Sequence, residues 1–180
     1  TPVKRIGINL GAPGDRTDAA RQAWFGFPRP KTVERLEFVF DIQPRFAEGG
    51  GWVAENPDTV DFGAGQLPWL LASGARGLEH FEVPLLGTDD PAARYDVKLY
   101  FAGMEPSAVA ALRIQLQGAD IAGETLQLNA DQRQAIPVCV RYFKDVPVKQ
   151  DLVYDCNLSA SQALPRMAAI EIVRSSTANE

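Results

Sequence analysis

The sequence predicts an all-β fold, an antiparallel jelly-roll β-sandwich, and three observations carry that prediction. Apolar residues recur at every second position in one segment after another, Gly and Pro turns separate the segments, and helical periodicity appears only in short pieces. A sheet with one apolar face must bury it against another layer, and two such sheets stacked face to face form a sandwich.

In chain order, Ile6, Ile8 and Leu10 form a first short strand. Leu36, Phe38, Phe40 and Ile42 alternate with Arg35, Glu37, Val39 and Asp41 in a second, and Phe81, Val83 and Leu85 form a third. The most regular segment is RYDVKLYFAG, Arg94 to Gly103, in which Tyr95, Val97, Leu99 and Phe101 share one side and Asp96, Lys98, Tyr100 and Ala102 the other. Next come Leu112, Ile114 and Leu116 alternating with Arg113, Gln115 and Gln117, then Ile136, Val138, Val140 and Tyr142, then Leu152 to Leu158. Ile170 and Ile172 mark a last strand. The helical pieces are Asp18 to Trp24, behind Asp18 as an N-cap, and Ser107 to Ala111. Two connections are long, Gly11 to Pro30 and Pro44 to Gln66, the latter containing Gly49-Gly50-Gly51-Trp52; such lengths belong to binding loops or mobile segments. No internal repeat or shift in composition marks a linker, so residues 1–180 read as one domain.

With 180 residues, 46% of them hydrophobic, the chain is long enough to bury a sizeable core. A net charge of −5 argues against nucleic acid or an anionic membrane as partner, because both demand a surplus of Lys and Arg. No apolar run approaches the roughly 20 residues of a membrane-spanning helix, so no membrane insertion is expected. The opening TPVKRIGINL lacks a signal-peptide core, and any secretion signal is expected to have been removed or to lie outside this sequence. Cys139 and Cys156 are too few and too far apart for a zinc or haem motif. In phase, Cys139 opposes Val138 and Val140, whereas Cys156 joins Leu152, Tyr154 and Leu158. If the apolar sets face inward the two sulfurs point to different sides, and a bulge would reverse that, so a disulfide and two free thiols both stay open.

Trp24, Phe25 and Phe27, with Trp52, sit on the two long connections, where they would form a stacking platform or cap the open end of the sandwich. Trp69, in LPWLLASG, is read as core. His80 is the single histidine and is in phase with Leu78 rather than with Phe81, Val83 and Leu85, which makes it a surface or edge residue. No hydrolase, metalloprotease or nucleotide-binding motif accompanies it, so no catalysis is expected. Carboxylates gather at Asp15 and Asp18, at Glu55, Asp58 and Asp61, and at Asp89 and Asp90. These suit either a structural calcium ion or, with no EF-hand spacing present, turns stabilised by bonds from the side chain to the backbone.

YDVKLYFAG followed by RIQLQG resembles the malectin pattern of a Y-x-V-x-L-x-F-A-E strand, a loop and an F-D-V-x-L-x-G strand. RIGINLGAPG is similar to the family's opening, where a strand ends in N-x-G-G, and LPRMAAIEIV to its last strand, P-x-x-x-A-L-x-I. GAPGDR with the later LPWLLASGARGL resembles malectin-like modules of large bacterial extracytoplasmic proteins. The resemblance implies a malectin-like jelly roll that is non-catalytic, secreted or surface-exposed in the periplasm or at the cell surface, and excised from a longer chain. It also implies sugar contacts made by loop aromatics and a carboxylate. Where the family places two of those aromatics this chain reads Met104-Glu105-Pro106-Ser107, another falls near Gly74, the carboxylate falls near Ala163, and a remaining aromatic corresponds loosely to Trp52. The scaffold is thus expected without malectin's diglucose site. Two functions follow: a carbohydrate-binding accessory module that contacts a polysaccharide or glycan through Trp24, Phe25 and Trp52, or a structural, protein-interaction domain that buries those rings against neighbouring domains of a larger protein.

Overall fold

The computed structural model describes residues 2–29, 42–158 and 163–175. Within them, β1 (Arg5–Leu10), β2 (Arg16–Thr17), β3 (Ala23–Phe27), β6 (Ala93–Ala102), β8 (Glu124–Gln127), β9 (Val138–Val148) and β11 (Arg166–Arg174) build the larger layer, in the order β2–β3–β1–β11–β6–β9–β8. The smaller layer is β4 (Arg45–Ala54), β5 (Ser73–Pro84), β10 (Asp151–Asn157) and β7 (Arg113–Leu116), in the order β4–β5–β10–β7. A short antiparallel pairing, Arg166 to Arg76 and Met167 to Ala75, joins the layers along one edge. Every pair is antiparallel except β1 with β3, which run parallel.

From β5 onward the chain crosses between layers: β5 in the smaller, β6 in the larger, β7 in the smaller, β9 in the larger, β10 in the smaller and β11 in the larger, beside β1. That alternation is the predicted jelly-roll sandwich. Its cause is the period-two pattern, which places Ile6 opposite Ile172, Ile8 opposite Ile170 and Leu99 opposite Ile170 on one inner face. These side chains share a single buried cluster with Phe81, Val83, Ile114, Leu116, Leu152 and Tyr154 from the smaller layer. Phe81 and Tyr154 stack within it, with centroids 4.6 Å apart at 12°. A second cluster lies on the outer face of the larger layer, where Phe62, Leu70 and Leu71 cover Ala102, Val138 and Ala169. Leu70 and Leu71 belong to the short helix α1 (Pro68–Leu71).

The structure departs from the sequence-based expectations at several places. Asp18 to Trp24 is a hairpin joining β2 to β3, not a helix: the Asp18 carboxylate accepts from the backbone N–H groups of Ala20 and Gln22, both at 2.9 Å, and Arg21 is left-handed with φ 62°. A side chain that bonds forward to backbone N–H groups opens a helix or closes a turn equally well. Both long connections contain strands that alternation did not reveal. In β4 the register shifts between Phe46 and Gly51, across the glycines; outside these connections β8 also escapes the pattern, because it carries little apolar surface. The strand expected over 36–42 falls, except for Ile42, outside the described residues. The helix expected at Ser107 to Ala111 is α2 (Pro106–Ala110).

Cys139 and Cys156 are both free and buried, and both belong to the principal core. Of the two orientations left open for Cys139 the structure shows the inward one: the end of β9 is covered on both faces, with Val138 in the outer cluster and Cys139 in the principal core.

Candidate functional site

Trp24 and Phe25 are neighbours on β3, so the pleat sends them to opposite faces. Trp24 lies on the outer face of the larger layer, buried, with its indole N–H donating to Asp18 Oδ2 at 3.1 Å and its ring edge-on to Tyr100 at 6.0 Å. Phe25 sits beside Ile8 and packs half-buried against the principal core, with the Arg29 guanidinium 5.4 Å from its ring centre. Trp52, on β4, makes edge contacts with Phe27 at 5.6 Å and Phe46 at 5.1 Å, forming an aromatic cluster at the margin of that core. The three candidate rings therefore do not converge.

Two cavities lie on either side of α1. The first, about 420 Å³, opens at the loop end between the Gly11–Arg16 turn, Glu55, Pro57 and Trp69. Trp69 is half-buried, packed against the outer-face cluster at its edge, and the Arg16 guanidinium lies 5.7 Å from its ring centre. Behind it, buried Asn9 donates to the Trp69 carbonyl at 3.2 Å and accepts from the Ser73 hydroxyl at 3.3 Å. The rim is tied on both sides: Asp15 accepts from the Gly26 N–H at 2.9 Å and pairs with Arg29, and Glu55 pairs with Arg166 at 2.7 Å. The sequence signal for this site was the apolar LPWLL run beside the GAPG turn, but alternation along a strand carries no information about a wall made by a helix and two loops.

The second cavity, about 250 Å³, lies on the outer face of the larger layer. Strand register lines up Trp24, Gly7, Glu171, Lys98 and Tyr142 in one row across β3, β1, β11, β6 and β9. Glu171 is buried on this row, as are Trp24 and Gly7, whereas Lys98 and Tyr142 are half-buried. Its Oε1 accepts from Arg5 Nη2 at 2.6 Å, and its Oε2 accepts from Lys98 Nζ at 3.1 Å and from Tyr100 Oη at 3.3 Å. Burial opposes ionisation of Glu171, but the bonds and charges of Arg5 and Lys98 outweigh it and hold the carboxyl below its ordinary value. Burial first, then the Glu171 charge, pushes the Tyr100 phenol far up. The Asp18 carboxyl is lowered by the bond from Trp24 and by backbone N–H groups.

A third hollow, on the outer face of the smaller layer, is charge-lined, with Arg45, Glu79, Arg113, Asp120 and Asp155 among its walls. His80 stands beside it, half-buried, with Nδ1 2.8 Å from Asp155 Oδ1 and Nε2 3.5 Å from Glu82 Oε1. Both ring nitrogens thus face carboxylates.

Among the described residues no group of three or more His, Cys, Asp or Glu side chains is placed to hold a metal ion. Several of the clustered carboxylates bond turn backbone instead: Asp61 accepts from Gly63 N–H at 2.8 Å and Asp90 from Gly87 N–H at 2.8 Å, as Asp15 and Asp18 do from theirs. No helix among them is long and apolar enough to cross a membrane. At the malectin ligand positions, Met104 packs against the core and its carbonyl accepts from Cys139 Sγ at 3.3 Å, while Ala163 is exposed.

Among solved structures the chain is similar to the Bacillus subtilis protein YXIM, with a TM-score of 0.50 at 15% identity over 96% of this chain and 40% of that one. It also matches the ANX2 ectodomain of Arabidopsis thaliana, with a TM-score of 0.49 at 10% identity over 96% of this chain and 42% of that one. The chain therefore spans about two-fifths of the length of these structures, and at 15% identity the likeness to the first bears on the fold alone. No family model and no curated protein matches it.

Proposed function

We propose that the chain is a non-catalytic carbohydrate-binding module of a larger secreted or surface protein, and that it holds a saccharide in the loop-end cavity beside Trp69. The observation that carries this reading is the half-buried indole of Trp69 on the wall of a cavity of about 420 Å³ whose rim is fixed by ion pairs. A sugar ring presents an apolar C–H face and a girdle of hydroxyls; an indole suits the first, and Arg16 and Glu55 suit the second. The malectin-like wording of β1, β6 and β11 supports the same class. A panel of immobilised glycans tests it. Wild type is expected to be retained by at least one glycan, and Trp69→Ala to weaken that retention about tenfold or more. Retention of no glycan, or retention unchanged by Trp69→Ala, overturns it.

One observation favours the interaction-domain reading: Leu126 and Leu128 are 44% and 42% exposed, side by side at the β8 edge. If that edge docks a neighbouring domain, Leu126→Ser weakens the docking while glycan retention through the loop-end cavity is unchanged.

A further inference from the structure

The outer-face cavity differs from the loop-end one in which bonding groups remain open. Its acceptors are occupied. Both Glu171 oxygens receive bonds from Arg5, Lys98 and Tyr100, and both Asp18 oxygens receive bonds from Trp24 and from backbone N–H groups. Its donors are not. Among the described residues, the side chains of Arg5 and Lys98 each make one hydrogen bond, both to Glu171, and the Lys98 ammonium also lies 5.6 Å from the Tyr142 ring centre, which leaves most of their N–H groups available.

Depth reinforces the asymmetry. The Arg5 side chain is 51% exposed and that of Lys98 40%, whereas Glu171 beneath them is 5% exposed. An incoming group therefore meets two cations before it meets the anion that orients them. Beside this donor pair the wall is apolar, formed by Leu67 and Leu70 of the α1 region with Leu128 opposite, and Gln66 adds a polar edge. The space accommodates about one monosaccharide ring.

We propose that this cavity is a second saccharide site, selective for a sugar residue that bears a carboxylate, such as a uronosyl unit. Arg5 and Lys98 donate to the carboxylate, and the ring lies along the Leu67, Leu70 and Leu128 wall. The site is independent of the loop-end cavity, because α1 separates them: Trp69 faces one and Leu70 and Leu71 line the other.

The three tryptophans make the test direct, since Trp24 borders this cavity, Trp69 the loop-end cavity and Trp52 neither. Their indole N–H signals are followed by NMR while the chain is titrated with trigalacturonate, maltotriose, sodium acetate or an acidic tripeptide. Trigalacturonate is expected to shift the Trp24 signal saturably, with the Trp52 signal unmoved. Lys98→Gln is expected to weaken that binding about tenfold, the loss of one charge-assisted bond, and so is Leu128→Glu, which places a like charge on an already exposed rim position. The two variants act by different routes, so a folding defect in one leaves the other as the test. The proposal is overturned if trigalacturonate leaves Trp24 unmoved, or if maltotriose binds there equally well. Acetate or the tripeptide matching trigalacturonate overturns it as well, by assigning the cavity to carboxylates in general or to peptide. A shift confined to Trp69 supports the loop-end reading and refutes this one.

Discussion

The six-membered ring of Trp24 lies against Gly7: a methyl carbon on that glycine would stand 2.7 Å from Cε3 and 2.8 Å from Cδ2. The parallel β1–β3 pair sets the two residues side by side, and the missing side chain at position 7 lets the indole reach the sheet and border the outer-face cavity.

Gly7→Ala is therefore expected to push Trp24 off its seat. Overpacking of this kind costs about 1–3 kcal/mol, read as a lower urea midpoint. The Trp24 indole resonance should move while those of Trp52 and Trp69 stay in place.

Glu171 gives the stability of the fold a pH dependence. Its folded-state carboxyl lies below the ordinary 4.5, so its stabilising contribution is complete above that value and is lost as pH falls through the depressed one. Urea midpoints measured from neutral pH downward should fall more steeply for wild type than for Glu171→Gln. At neutral pH Glu171→Ala should cost about 1–3 kcal/mol, because buried charge-assisted bonds are removed. Equal acid sensitivity in wild type and Glu171→Gln would refute this account.

Phe81 and Tyr154, stacked at 4.6 Å on facing strands of the smaller layer, anchor the principal core. Phe81→Ala should destabilise by about 3–5 kcal/mol, and unlike Gly7→Ala it should leave Trp24 undisturbed in whatever fraction stays folded.

The two thiols should behave as buried hydrophobic groups. Burial pushes Cys139 up to about 11 and raises Cys156 as well. Alkylation near pH 8 should run about a hundredfold slower in the native protein than in urea, and mass spectrometry after denaturing alkylation should find both sulfurs modified. Because the folded value of Cys139 is raised, its contribution to stability is complete below the ordinary thiol value of 9 and is lost as pH climbs through about 11; Cys156 acts in the same direction.

The strands legible in the sequence are those with one dry face and one wet face, β6 and β10 above all, since there the period-two pattern records burial directly. Around Trp24 and Cys139 the pattern is harder to read: a second layer of loop and helix covers the outer face there, apolar residues occur on both sides of a strand, and parity no longer tells inside from outside. Glu171 was illegible for the opposite reason: as a lone acid in MAAIEIV it marks only a solvent-facing position, and its burial depends on Arg5 and Lys98 arriving from two other strands.

The sequence alone determined the all-β sandwich, because alternating hydrophobicity is a local property that fixes which face of each strand must be dry. Only the tertiary structure decided where this chain's cavities and ion networks lie. Asn9 with Ser73, Arg5 with Glu171, and Lys98 with Glu171 are 64, 166 and 73 positions apart along the chain, and only the assembled sheets bring them within bonding distance.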